Sequence, residues 1–150
     1  MEITQEKPIE ETRILVVDDD EQNVELLEAY LSDAGYQVLR ALDGVSALKV
    51  ISSEDPDLVL LDIMMPDISG YEVCKRVKGD AKTARMPVLM VTALGALADI
   101  EKGIEAGTDD FLTKPINRLE LLARVRSLMR TRHLQSELDR TLAYLRELEK

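Results

Sequence analysis

Four short apolar runs, each ending on a residue able to do chemistry, constrain this chain more than any other feature in it. Ile14-Leu15-Val16-Val17 runs into Asp18-Asp19, and Leu58-Val59-Leu60-Leu61 runs into Asp62. Val88-Leu89-Met90-Val91 leads to Thr92, and Phe111-Leu112-Thr113 leads to Lys114-Pro115. Short runs rich in Val, Leu and Ile, alternating with helical patterns, mark strands buried on both faces of a parallel sheet. Ligands of an open α/β sheet bind beyond the carboxyl ends of its strands. The spacing therefore predicts one crevice holding three carboxylates, a hydroxyl and an ammonium, suited to a divalent cation and a phosphoryl group.

The intervening pattern supplies the rest of the architecture. Strands are expected at about Arg13–Val17, Gln37–Ala41, Leu58–Leu61, from Pro87 onward, and Asp110–Thr113. Helices are expected at about Gln22–Ala34 with Gly35 as C-cap, Val45–Ser52, Tyr71–Lys78, Leu97–Ala106, and from Arg118 onward. Five strand–helix units with right-handed crossovers give a doubly wound five-stranded parallel sheet, order 2-1-3-4-5, with helices on both faces. The last helix meets no stop signal, because no Gly or Pro occurs between Asn117 and Lys150. Leu134, Leu138, Leu142, Leu145 and Leu148 recur along it every three or four residues. An isolated helix of that length is marginal in water without a partner. The stripe reads as a coiled-coil seam or the start of a linker, with a helix folded back on the domain as the alternative. The chain thus divides into a flexible polar lead-in (1–12), a globular domain (13–129) and a helical extension (130–150).

Composition narrows the partners. A formal net charge of -10 argues against a broad nucleic-acid face, and the arginines near the C-terminus read as a solvated surface. The single cysteine, Cys74, falls inside a helical pattern and reads as a packed thiol; with no disulfide available, a reducing, cytoplasmic location is expected. No uncharged run is long enough to span a bilayer, so no membrane association is expected.

At the site, Asp18 and Asp19 facing Asp62 would repel one another unless a cation joined them. Oxygen donors with no His or Cys nearby suit Mg²⁺ or Mn²⁺ rather than zinc. Asp62 is the candidate nucleophile, since a carboxylate can attack phosphorus to give an acyl phosphate. Lys114 offers an ammonium and Thr92 a hydroxyl for phosphate oxygens. Taken singly, each has a plainer explanation: an acidic cap for the first helix, a β-branched strand end, a surface lysine. Their joint placement favours a site. A cis Lys114–Pro115 bond would turn Lys114 into the crevice.

These residues carry a family resemblance. Val16-Val17-Asp18-Asp19-Asp20, Leu60-Leu61-Asp62-Ile63-Met64-Met65-Pro66 with Gly70, Val91-Thr92-Ala93, and Gly107-Thr108-Asp109-Asp110-Phe111-Leu112-Thr113-Lys114-Pro115 resemble the receiver domains of two-component response regulators. The likeness spans about Arg13 to Met129 and is nearest to receivers that precede cyclic-di-GMP modules. It implies a flavodoxin-like, CheY-like fold and a signalling switch rather than an enzyme. Asp62 would take a phosphoryl group from the phosphohistidine of a sensor histidine kinase or phosphotransfer protein. Asp19, Asp62 and the Met64 carbonyl would bind Mg²⁺, with Asp18 assisting through water. Thr92 and Lys114 would hold the phosphate, and Phe111 would be the switch aromatic, acting on the face of helix four, strand five and helix five. Met64 and Leu94, both apolar, would flank the hydrolytic water and prolong the phosphoryl state. An output domain after residue 150 and a homodimer through the last helix are the further partners expected.

Three competing readings are weaker. A haloacid-dehalogenase-like phosphatase would use Asp18 and Asp20, but the hydroxyl residue usual after that motif is absent and there is little room for a cap. A module that is never phosphorylated would normally have lost an aspartate or the lysine. Kinase chemistry at His133, alone on a charged helix, lacks a phosphoacceptor box.

Overall fold

A computed structural model of the chain describes residues 5–93 and 97–149. After a 3-10 turn (Ile9–Glu11), the elements run β1 (Arg13–Val17), α1 (Glu21–Asp33), β2 (Gln37–Ala41), α2 (Gly44–Glu54), β3 (Leu58–Asp62), α3 (Gly70–Gly79), β4 (Val88–Thr92), α4 (Leu97–Ala106), β5 (Asp110–Thr113) and α5 (Arg118–Leu148). The strands form one sheet in the order β2-β1-β3-β4-β5, and every pairing is parallel. This is the doubly wound arrangement expected from the strand–helix alternation.

Each central strand buries both faces, and its side chains alternate between two cores. Leu15, Val17, Val59, Leu61, Val88 and Met90 face the core shared with α2, α3 and α4. Ile14, Val16, Leu58, Leu60, Leu89 and Val91 face the core shared with α1 and α5. The two-residue period of a strand sends successive side chains to opposite faces. That is why a run with no polar alternation can be a strand at all. Cys74 is fully buried in the first core, where its thiol lies 3.3 Å from the Ala106 carbonyl and burial pushes its pKa up to about 11.

Several element ends differ from expectation, for local reasons. Asp20 caps α1 by accepting from the Gln22 N–H, so the helix starts at Glu21. At its other end Ala34 is the cap. Gly35 lies one residue beyond, at φ 102, with its N–H on Ser32 O and the Tyr36 N–H on Leu31 O. That paired closure is a Schellman motif, and it uses glycine's freedom at positive φ. Asp43 caps α2, which runs on to Glu54 and stops at Asp55, a non-glycine residue at φ 48. α3 is capped by Ser69 and runs through Gly79. β3 extends to Asp62, making the carboxylate the last residue of its strand.

The described part of the lead-in, residues 5–12, makes a few specific contacts with the domain. Polar composition suggests mobility through residue 12, yet Lys7 pairs with Asp57 at 3.1 Å and Gln37 donates to Glu10 O at 2.8 Å. Thr12 is buried and donates to Pro8 O at 2.9 Å. Residues 5–11 stay exposed, and the pairings of Lys7 with Asp57 and of Gln37 with Glu10 are long-range contacts that composition does not reveal.

α5 is continuous over 31 residues, roughly 46 Å at the rise of an α-helix. Leu121, Val125 and Met129 are its buried positions. Beyond Met129 the helix is held by polar contacts. Arg132 donates to Asp57 O at 2.7 Å, and Arg85 pairs with Asp139 at 2.6 Å. Leu134, Leu138, Leu142, Leu145 and Leu148 are all exposed, so the stripe is not folded back into the domain. Among the described residues no helix is long and apolar enough to cross a membrane.

Candidate functional site

The sheet order decides where the chemistry gathers. β1 and β3 are neighbours, as are β3 and β4, so residues following their last apolar positions converge at one edge. Asp18, Asp19, Asp62, Met64, Thr92 and Lys114 line a single crevice of about 450 Å³.

Within it, Asp18 and Asp62 are almost wholly buried and Asp19 is exposed. Asp18 accepts from the Asp20 N–H at 2.9 Å and from the Asn23 amide at 3.3 Å. The Lys114 ammonium stands 3.2 Å from Asp62 Oδ1 and 3.5 Å from Asp18 Oδ2. Its backbone N–H donates to Thr92 O at 2.8 Å, so β4 positions the turn that carries it; the Lys114–Pro115 bond is cis. Thr92 is buried and its hydroxyl donates to Ala93 O at 2.9 Å. Phe111 is half-buried against the α3/α4 core. Leu94 lies outside the described residues.

One ammonium does not balance three carboxylates. Burial, followed by repulsion from Asp18, holds the Asp62 carboxyl above the usual range although Lys114 opposes the shift. Burial works to depress the Lys114 ammonium, but attraction to Asp62 and Asp18 outweighs it and raises the pKa. One carboxylate oxygen from each of Asp18, Asp19 and Asp62 lies within 4.8 Å of the other two. A cluster of hard oxygen donors with excess negative charge fits a small divalent cation.

Not every site residue was legible beforehand. Asn23, one turn into α1, holds Asp18, and Asp99 on α4 lines the crevice. The Tyr71 hydroxyl donates to the Asp99 carbonyl at 3.1 Å and lies 3.2 Å from its carboxylate. Burial first, then Asp99, pushes the Tyr71 phenol up to about 12. No motif marks these residues; each reaches the site through helix packing. Asp20, needed by the phosphatase reading, is engaged as the α1 cap. His133 lies near Lys7, Asp57 and Arg132, at the opposite end of β3 from Asp62.

Comparison with known proteins agrees with this fold. A family model described as the response regulator receiver domain matches residues 14–126. Response regulator PleD of Caulobacter vibrioides is 49% identical over 126 residues, covering 84% of this chain and 28% of that protein. RpaA of Synechocystis, described as a DNA-binding dual master transcriptional regulator, is 46% identical over 118 residues, covering 79% of this chain and 49% of that one. The chain thus spans less than half the length of these relatives, and the RpaA description leaves the expected lack of a nucleic-acid partner without support. Among solved structures, a CheY-like response regulator receiver domain protein of Methanospirillum hungatei superposes with a TM-score of 0.78 at 29% identity, over 83% of this chain and 98% of that one. The signal receiver domain of a histidine kinase from Syntrophus aciditrophicus gives 0.76 at 33% identity, over 80% and 91%.

Proposed function

Since the chain belongs to the response regulator receiver family of two-component signalling, we propose that Asp62 is its phosphoacceptor and that phosphorylation there controls an output through α4, β5 and α5. The donor is a phosphohistidine on a sensor kinase or phosphotransfer protein, or a small acyl phosphate. A carboxylate oxygen of Asp62 bonds to phosphorus as the phosphohistidine's phosphorus–nitrogen bond breaks and the departing imidazole takes up a proton; with an acyl phosphate the phosphorus–oxygen bond breaks instead and a carboxylate departs. The observation that carries this reading is the Lys114 ammonium 3.2 Å from a nearly buried, charge-crowded Asp62.

Asp19, Asp62 and the Met64 carbonyl would hold Mg²⁺ or Mn²⁺, with Asp18 beside them. Such an ion, when bound, supplies positive charge to the transferring oxygens. Lys114 pairs with a phosphate oxygen while staying near Asp18. The Thr92 hydroxyl leaves the Ala93 carbonyl to donate to another. Phe111, packed beside α4, follows Thr92 inward and shifts the balance of states on that face. No side-chain hydroxyl needs a partner in that inward state, because the residue is Phe.

Beyond the receiver we infer that residues 130–150 form a dimerising helix or linker toward an output domain. The exposed leucine stripe supports this. A cyclic-di-GMP module and a DNA-binding domain are both compatible outputs.

The test is intact mass after incubation with acetyl phosphate. One phosphoryl adduct is expected on wild type with Mg²⁺, and none without Mg²⁺ or in Asp62→Asn. Slow decay of the adduct would support the role given to apolar Met64 and Leu94. Failure with both acetyl phosphate and a phosphorylated kinase would overturn the phosphoacceptor reading in favour of a phosphorylation-independent module.

A further inference from the structure

The loop that follows Asp62 is fastened at two places. At its end the Gly70 N–H donates to Ile63 O at 2.8 Å, and a Cβ on Gly70 would collide with the Asp62 carbonyl and stand 2.9 Å from Ile63 Cα. That closure brings the loop back against its own strand. The second fastening reaches a different element. Asp67 Oδ1 accepts the Gly44 N–H at 3.0 Å and Oδ2 accepts the Val45 N–H at 2.8 Å, both at the start of α2.

The two surfaces are also in close contact. A Cβ on Gly44 would collide with Ile68 Cγ1 and lie 3.0 Å from Ile68 O, so the loop rests directly on the helix end. α2 already has its own cap, because Asp43 accepts the Ser46 N–H at 2.7 Å. The Asp67 bonds take up two other amides of the first turn, which otherwise lack intrahelical partners. Backbone donation from Val45 and then Gly44 holds the Asp67 carboxyl below its usual range. Met64, whose carbonyl belongs to the proposed ion site, lies in the span between Asp62 and Asp67.

We propose that Asp67 is a positioning residue for the divalent-cation site: by clamping the β3–α3 loop to the N-terminus of α2, it fixes where the Met64 carbonyl stands. This rests on the metal reading given above. Asp67 stands outside the cluster of Asp18, Asp19 and Asp62 and outside the crevice lining, so its effect is on affinity through geometry. Partners that orient a ligand from outside the coordination sphere commonly matter at this level.

The experiment is calorimetric titration of the full chain, stripped of metal, with Mg²⁺ alone, paired with thermal unfolding of each variant. Asp67→Ala is expected to weaken Mg²⁺ binding about tenfold. Asp67→Asn, which keeps one acceptor oxygen, should fall between it and wild type, and it serves in its place if the alanine variant does not fold. Asp43→Ala, which removes the helix's own cap and leaves the loop clamp in place, should lower the melting temperature and keep wild-type affinity. An Asp67→Ala or Asp67→Asn protein that melts earlier yet binds Mg²⁺ like wild type would reduce Asp67 to a helix cap and overturn the proposal. Wild type must bind Mg²⁺ in a manner abolished by Asp19→Asn. Its failure to do so would overturn the metal reading and the positioning role with it.

Discussion

Asp62 is held where ionisation is unfavourable, and this has a thermodynamic signature. Its carboxyl is raised by burial and by Asp18, with Asp19 adding and Lys114 opposing. A carboxyl raised in the folded state contributes stability that is fully present below its unfolded value, near 4, and lost as pH rises through the folded value. At neutral pH without metal the ionised group therefore works against folding. Asp62→Asn should raise the melting temperature under those conditions, by about 2–4 °C if roughly 1 kcal/mol is recovered. Added Mg²⁺ should raise the wild-type midpoint and narrow the gap, because an ion that binds only the folded state stabilises it. Scanning calorimetry at neutral pH, with and without Mg²⁺, reads both; a lower midpoint for Asp62→Asn in metal-free buffer would contradict this account. At this scale the sequence was informative for residues that end a strand: Asp18, Asp62, Thr92 and Lys114 were legible from the apolar runs before them. Asn23, Asp67 and Asp99 were not, because a carboxylate or amide in a loop or helix has no periodic signal to say what it will reach.

At the scale of elements, the α4–β5 contact depends on a missing side chain. A Cβ on Gly103 would lie 2.5 Å from Phe111 Cζ and 2.6 Å from Cε1, so the half-buried ring sits directly on the glycine of α4. Gly103→Ala should gain helix propensity of up to about 1 kcal/mol and lose about 1–3 kcal/mol to overpacking. Net destabilisation in urea unfolding is expected, and Phe111→Leu should relieve it in the double variant. Additive effects of the two changes would deny the contact. β1, β2, α4 and β5 were legible end to end, since strand runs and helical spacing met clear breaks. The ends of α1, α2 and α3 were less so. Caps such as Asp43 and Ser69 lengthen a helix by a hydrogen bond whose acceptor is one of several plausible polar residues nearby.

The receiver carries a helical rod, and the join lies at the end of β3 remote from Asp62. Asp57, buried just before β3, accepts from the Arg13 N–H at 2.8 Å, pairs with Lys7 at 3.1 Å, and offers its carbonyl to Arg132 at 2.7 Å. One residue thus gathers the lead-in, the sheet and the start of the extension. A protein ending at Met129 should fold and accept phosphate, since the buried positions of α5 end there. It should melt slightly earlier for want of the Arg132 contact. It should also stay monomeric at concentrations where the 150-residue chain associates through its leucine stripe. Sedimentation equilibrium on both proteins checks this, and an equally monomeric full chain would rule out self-association through that stripe.

The class of the fold, the alternation of its elements and five of the chemical groups of the crevice could be read along the chain. Those follow from periodicity and from strand ends, which are local properties of the chain. Folding in three dimensions was needed to bring Lys7 to Asp57 and Glu10 to Gln37, to hold the helical extension by Arg132 and Arg85, and to clamp the loop beside Met64 to α2 through Asp67. These contacts join residues far apart in the chain. A charged side chain carries no mark in sequence of which distant amide or carboxylate will desolvate with it. That choice is made when the two cores close on the sheet and bring the ends of its strands, loops and helices within hydrogen-bonding reach.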